Sequence, residues 1–190
     1  PYFMAKKEHP KAIYITADHE YYSIVSTQVM SILKDFSPYV QVYSVDEAFV
    51  DLTGLTKLYK KNYRELAIYL REKILQDADI PVSIGVSSTK TLSKLASDKS
   101  KKSSSGVYLI GKQKIHKELE KTKIEEVWGI GRRLTNSLKR YGILTAEELI
   151  KKTDKWFEST IGIHGIEMRH ELLGEMVSEV TNAEKPPKSI

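Results

Sequence analysis

The chain has 190 residues, 41% of them hydrophobic, with 11 tyrosines and no cysteine. That length suits one large or two small domains with a packed core. It excludes disulfides and thiolate metal sites, and no apolar run approaches the roughly 20 residues that a bilayer span needs. Pro1 to Lys7 lacks the apolar stretch of a signal peptide, so a cytoplasmic location is expected. The formal charge of +5 is unevenly spread: residues 90–155 hold 17 Lys and Arg against 8 Asp and Glu, a surplus of nine, which leaves the remainder at −4. A part facing a polyanion would have this pattern, and so would a lysine-rich surface in water.

In chain order, Ala12-Ile13-Tyr14-Ile15 reads as a short strand after Pro10. Asp18 is placed to cap a helix in which Val25, Val29, Ile32, Leu33 and Phe36 recur at helical spacing, ended by Ser37-Pro38. Two apolar runs, Tyr39 to Tyr43 and Ala48 to Leu52, joined by Ser44-Val45-Asp46-Glu47, predict a β-hairpin closed by Thr53-Gly54. One long helix is expected from about Thr56 to Asp77, with Tyr59, Tyr63, Leu66, Leu70 and Ile74 as its stripe. Val82 to Val86 predicts a strand, Lys90 to Ser97 a helix, Lys99 to Ser105 a polar basic loop, and Val107 to Ile110 another strand. This order implies an α+β half with a mixed sheet and helices on one face. After Gly111 short helical segments alternate with glycine turns up to about Val180. A boundary near Lys114 to Lys123 and a small all-helical second half follow. Glu184-Lys185-Pro186-Pro187-Lys188 reads as an extended linker.

Three segments could carry chemistry. Asp46 and Glu47 sit side by side at the hairpin tip, where a turn lets neighbouring side chains converge. Hard carboxylate oxygens suit Mg²⁺, which is commonly held by one or two carboxylates plus substrate phosphates; a solvated polar turn has the same composition. Next, Ser83 to Lys101 runs from a strand through a small-residue turn into a helix. Lys90 and Lys94 share a helix face and Lys101 follows in the loop, which suits phosphate at a helix start; read alone, it is also an ordinary helix with its lysines in water. Last, Gly129-Ile130-Gly131-Arg132-Arg133 is a Gly-x-Gly turn entering a helix with Leu134 and Leu138 on one face. Such turns hold phosphate on backbone N–H groups, the pattern of a helix-hairpin-helix DNA-binding unit, although a tightly packed corner would also use glycines. The five histidines show no metal-ligand spacing.

In order and spacing these segments resemble one family. Tyr43-Ser44-Val45-Asp46-Glu47-Ala48-Phe49-Val50-Asp51-Leu52-Thr53 is similar to the second catalytic motif of Y-family, translesion DNA polymerases. Ser83 to Lys101 is similar to their next palm motif, and the Gly129 turn falls where their thumb carries its helix-hairpin-helix element. The Tyr21-Tyr22 helix and the surroundings of Asp46 look most like the UmuC-like (ImpB/MucB/SamB) branch. The resemblance implies partial fingers and palm over residues 1–113, a helical thumb over 114–183, and a linker over 184–190 toward a little-finger domain. It implies template-directed addition of deoxynucleotides opposite damaged bases by two-metal phosphoryl transfer, with two Mg²⁺ ions. Asp46 and Glu47 would be catalytic metal ligands, Lys101 and Lys94 would meet the incoming triphosphate, and Gly129 to Arg133 would hold DNA. Primer-template DNA and deoxynucleoside triphosphates are the implied partners, with a sliding clamp or SOS accessory proteins besides. The family's third carboxylate, its sugar-screening aromatic residue and its finger Tyr and Arg are not among these motifs, and Lys101-Lys102-Ser103 stands where the family has a Lys-Pro turn. The resemblance therefore also implies an incomplete polymerase, inactive as this chain alone. The rival expectation is a non-catalytic DNA-binding remnant whose acidic pair is a structural turn.

Overall fold

The structure, a computed structural model, describes residues 1–182; the expected linker over 184–190 lies outside them. Helix α1 (Tyr2–Glu8) is followed by an extended stretch and helix α2 (His19–Phe36). Asp18 caps α2 as expected, its carboxylate accepting the Tyr21 N–H at 2.9 Å. Strands β1 (Val40–Val42) and β2 (Ala48–Val50) pair antiparallel, with Gln41 opposite Phe49, so the predicted hairpin forms. Helices α3 (Leu55–Tyr59) and α4 (Tyr63–Ala78) precede β3 (Ile84–Val86), α5 (Lys90–Ser100) and β4 (Val107–Leu109). Strands β3 and β4 pair in parallel, with α5 as their crossover. The second half carries α6 (Ile115–Glu120), α7 (Arg132–Arg140), α8 (Ala146–Ile150), α9 (Asp154–Thr160) and α10 (Ile163–Leu172).

Three expectations change. The segment 12–15 forms no strand: no described strand borders it, and Ile13 and Ile15 stand 90% and 88% exposed. A strand leaves its amides and carbonyls unsatisfied without a neighbour, so β-propensity alone does not hold one. The single helix over 56–77 is two. Lys60 takes a left-handed conformation with φ 51°, and Asn62 and Glu65 form a reciprocal capping box: the Glu65 amide donates to Asn62 at 3.0 Å and the Asn62 amide to Glu65 at 2.8 Å. A new helix start with its donors satisfied is more stable than a helix continued through that position. Finally, the mixed sheet is two separate two-stranded sheets. Among the described residues each strand is three residues long and is paired along one edge.

Two cores hold these elements. Leu33 and Phe36 of α2, Val40 of β1, Leu55, and Leu66, Leu70 and Ile74 of α4 pack beneath the hairpin. A second cluster joins Leu92, Leu95 and Ala96 of α5 to Leu119, Ile124, Leu138, Leu149, Phe157 and Leu172. Helix α5 thus belongs to the β3–β4 unit and to the helical half at once. It crosses β3 so closely that a Cβ on Gly85 would lie 2.0 Å from the Ser97 amide nitrogen. At its far end, the Lys99 ammonium pairs with Glu118 of α6, which also accepts from the Tyr108 hydroxyl at 3.0 Å. Burial pushes the Glu118 carboxyl up, but hydrogen bonds from Lys99 and Tyr108 outweigh it and hold it below its ordinary value.

The start of α5 is clamped by α10. Thr89 caps it, accepting from the Leu92 amide, and its hydroxyl also donates to the Glu171 carbonyl at 2.8 Å. The Glu171 carboxylate, on a residue only 6% exposed, accepts the Thr91 amide at 2.9 Å and the Thr91 hydroxyl at 2.5 Å. Glu171→Ala strands two buried donors, and a buried donor left unsatisfied costs about 1–3 kcal/mol. For a domain of this size that lowers Tm by several degrees. Thermal unfolding of the variant should show this, with Glu171→Gln intermediate because the amide oxygen still accepts.

Candidate active site

The hairpin tip is closed by backbone bonds. The Tyr43 and Ser44 amides both donate to the Glu47 carbonyl, at 2.9 and 3.1 Å. The side chains of Asp46 and Glu47 therefore take no part in closing the turn. Asp46 is exposed and accepts the Ser44 hydroxyl at 2.7 Å. Glu47 is half-buried and forms an ion pair with the Lys94 ammonium. Among the described residues, no cluster of three or more His, Cys, Asp or Glu side chains stands close enough to hold a metal ion. The tip thus offers two oxygen-bearing ligands.

Helix α5 lies across from the tip. Lys90, Lys94, Asp98 and Lys101 follow at four, four and three residues, so they share one stripe of the helix and its C-cap. Lys94 reaches Glu47. Lys101 pairs with Asp98 at 2.7 Å. Asp98, through its hydrogen bond and charge, raises the pKa of Lys101, and the charges of Glu47 and Asp46 raise it further. The stripe therefore presents cations to the paired carboxylates. Lysines fully in water do not describe it: Lys90 is 8% exposed. Its ammonium donates to Gln41 of β1 at 2.5 Å, to the Ser178 hydroxyl at 2.8 Å and to the Glu179 carbonyl at 2.7 Å, and stands 5.9 Å from the centre of the Phe49 ring. A buried ammonium needs such partners to replace water. The same C-terminal segment ties to β1 through Asn182, which accepts the Val40 amide at 2.9 Å and donates to the Pro38 carbonyl at 2.8 Å. The sequence carries no local signal for this strap.

The glycine turn lies beside the hairpin. Gly129 has φ +89°, a conformation that favours glycine. Gly131, at φ −79°, is the N-cap of α7 and has no such need. Ile130 is buried in the second core, so only its backbone can face a ligand. Arg132 and Arg133 are exposed in the first turn of α7, which holds no acidic residue. Trp128, just before the turn, packs edge-on to Tyr43 with centroids 5.2 Å apart and tilted to Phe49 at 5.6 Å. The structure thus brings Asp46, Glu47, Lys94 and the field of Lys101 together, and joins the glycine turn to the hairpin through Trp128. Sequence reading missed Lys90 as a buried anchor and Trp128 as a contact.

The fold thus sets a hairpin bearing paired acids opposite a lysine-bearing helix and beside a basic glycine turn. The family model described as impB/mucB/samB matches residues 1–98. The DNA polymerase IV 1 of Halalkalibacterium halodurans is 34% identical over 165 residues, covering 87% of this chain and 39% of the relative. The UmuC protein of Salmonella typhimurium is 35% identical over 162 residues, covering 80% and 37%. Among solved structures, the post-insertion binary complex of Dbh DNA polymerase superposes with a TM-score of 0.80 at 27% identity, covering 96% of this chain and 53% of that one. DinB from Sulfolobus solfataricus gives 0.76 at 28% identity, covering 91% and 50%. The chain belongs to the impB/mucB/samB family, the Y-family of DNA polymerases. It spans 37% to 51% of the length of such curated relatives. No described helix is long and apolar enough to cross a membrane.

Proposed function

We propose that this chain carries part of the catalytic centre of a translesion DNA polymerase, which adds deoxynucleotides opposite damaged template bases by two-metal phosphoryl transfer. The observation that carries this reading is the Asp46–Glu47 pair at the hairpin tip, Asp46 exposed and Glu47 half-buried, faced by Lys94 and Lys101 of the α5 stripe. Hard oxygen ligands of this kind suit Mg²⁺, and the two carboxylates would be two of its protein ligands. Once bound, the two ions would supply charge to the attacking and leaving oxygens. Lys101 would meet the triphosphate as a point charge, with Lys94 beside it once released from Glu47. The N–H groups of the Gly129–Gly131 turn, with Arg132 and Arg133, would grip the DNA backbone in a helix-hairpin-helix thumb over residues 114–183, beside a palm within 1–113. We assign a cytoplasmic location and, as further partners, a sliding clamp or SOS accessory proteins.

The test is extension of a labelled primer by the full-length protein, with Mg²⁺ and four deoxynucleotides, on intact and abasic templates. Insertion opposite the lesion is expected; no extension on either template sinks the proposal. The thumb assignment has its own test. Each neutralised phosphate on B-DNA contributes about −0.9 to the slope of log K against log salt. Replacing both Arg132 and Arg133 by alanine should therefore flatten that slope by about two. Fluorescence anisotropy across a salt series measures it, and an unchanged slope would move the DNA contact elsewhere.

A further inference from the structure

The acidic tip is bracketed by two aromatic residues, Tyr43 before it and Phe49 after it, whose rings stand 6.1 Å apart. Both rings meet the indole of Trp128, at 5.2 and 5.6 Å. Edge-on and tilted contacts at these distances are the attractive arrangements of aromatic rings. The buried Lys90 ammonium also faces Phe49 and holds Gln41, the residue paired with Phe49 in the ladder. Each side of the five-residue span 44–48 is thus fixed to something outside the hairpin. Trp128 is also joined directly to Gly129, whose left-handed backbone sets the course of the glycine turn into α7. One side chain therefore touches both ends of the acidic tip and begins the turn assigned to the DNA backbone.

We propose that Trp128 is a positioning residue that sets the Asp46–Glu47 tip in register with the DNA-gripping turn, so that DNA held at the turn is carried into the geometry of the metal ligands. The proposal rests on the polymerase reading given above. Its chemical content is specific. Removing the indole leaves both carboxylates and both lysines in place but frees the tip to shift. Loss of a group that orients metal ligands typically costs 10- to 100-fold in metal affinity or activity, and misplacement of about 1 Å costs on the order of a hundredfold in rate. The nucleotide and the DNA backbone contact other groups, so their own affinities should hold.

The experiment uses the full-length protein with primer-template DNA and compares wild type, Trp128→Ala, Trp128→Phe and Asp46→Ala. Single-nucleotide insertion gives kcat and KM. Electron paramagnetic resonance of Mn²⁺ on the complex with a dideoxy-terminated primer gives metal affinity without turnover. Anisotropy gives DNA affinity, and thermal unfolding checks the fold. For Trp128→Ala, kcat should drop by about 10- to 100-fold and the Mn²⁺ Kd should rise about tenfold, with KM and DNA Kd near wild type. Trp128→Phe, which keeps a ring in the cluster, should recover most of both losses. Loss of DNA affinity with Mn²⁺ affinity unchanged would overturn the proposal, because Trp128 would then serve only the turn. A phenylalanine variant no better than alanine would overturn it too, since ring contact is what it invokes. If Asp46→Ala is inactive while Trp128→Ala matches wild type, this inference alone falls. If Asp46→Ala keeps full activity, the polymerase reading falls and takes the inference with it.

Discussion

Replacing Asp46 or Glu47 by alanine in the full-length protein should abolish primer extension while leaving DNA binding close to wild type. The structure makes this a clean experiment. The turn is closed by the Glu47 carbonyl, and neither carboxylate contributes to that closure. The Asp46 side chain is exposed and bonded locally to the Ser44 hydroxyl. Glu47 pairs with Lys94 at a partly exposed position, where an ion pair is worth about 0–1 kcal/mol of stability. Neither substitution should unfold the hairpin. The kinetic loss is of another order. Losing one preorganised electrostatic group at a reacting centre costs roughly 10²–10³ in kcat, and losing a metal ligand also empties or displaces the ion. A fall of about a thousandfold or more is expected for each variant, measured by single-turnover extension at saturating DNA. Asp46→Asn, which keeps an oxygen for Ser44, separates charge from shape and should be nearly as inactive. Near-normal rates in both alanine variants would remove the metal assignment and favour the acids as a structural turn.

Lys101→Ala should impair nucleotide use more than DNA affinity. Its side chain is 61% exposed and its partner Asp98 is three residues away on the same helix end, so stability should barely change. Asp98 first, and then the charges of Glu47 and Asp46, raise its pKa above the ordinary lysine value. The cation is therefore present throughout the neutral range and already sits in the field of the tip. A charge-assisted hydrogen bond to phosphate is worth about 1–3 kcal/mol, or roughly five- to 150-fold in kcat/KM for the incoming nucleotide. Steady-state insertion kinetics and anisotropy on the same variant decide the matter. An unchanged nucleotide efficiency with weaker DNA binding would place Lys101 on the DNA track instead. Lys94 should behave differently: its alanine variant also releases Glu47, so the two effects appear together.

The local parts of this protein were legible because their causes are local. Asp18 caps α2 through an amide three residues away, as its position before the apolar stripe predicts. The 43–49 hairpin follows from two apolar runs and a four-residue polar link, which carried Asp46 and Glu47 to the tip. The resemblance of that tip and of residues 83–101 to one polymerase family was equally a property of order and spacing. The break at Asn62 was written there as well, since Asn62 and Glu65 have capping-box spacing, but the continuing apolar stripe masked it.

What the tertiary structure decided lies between residues far apart in the chain. Whether 12–15 becomes a strand depends on a neighbour that no local pattern supplies. Whether Lys90 is a solvated lysine depends on Gln41, 49 residues earlier, and on Ser178 and Glu179, 88 and 89 residues later. Asn182 meets Val40 across 142 residues, and Trp128 meets Tyr43 and Phe49, far earlier in the chain, through tertiary packing alone. Propensity and periodicity act over one or two turns of chain. Burial of a cation, closure of a strand edge and edge-on and tilted packing of three rings are set by which surfaces the cores bring together, and that is where the acidic tip acquires its fixed surroundings.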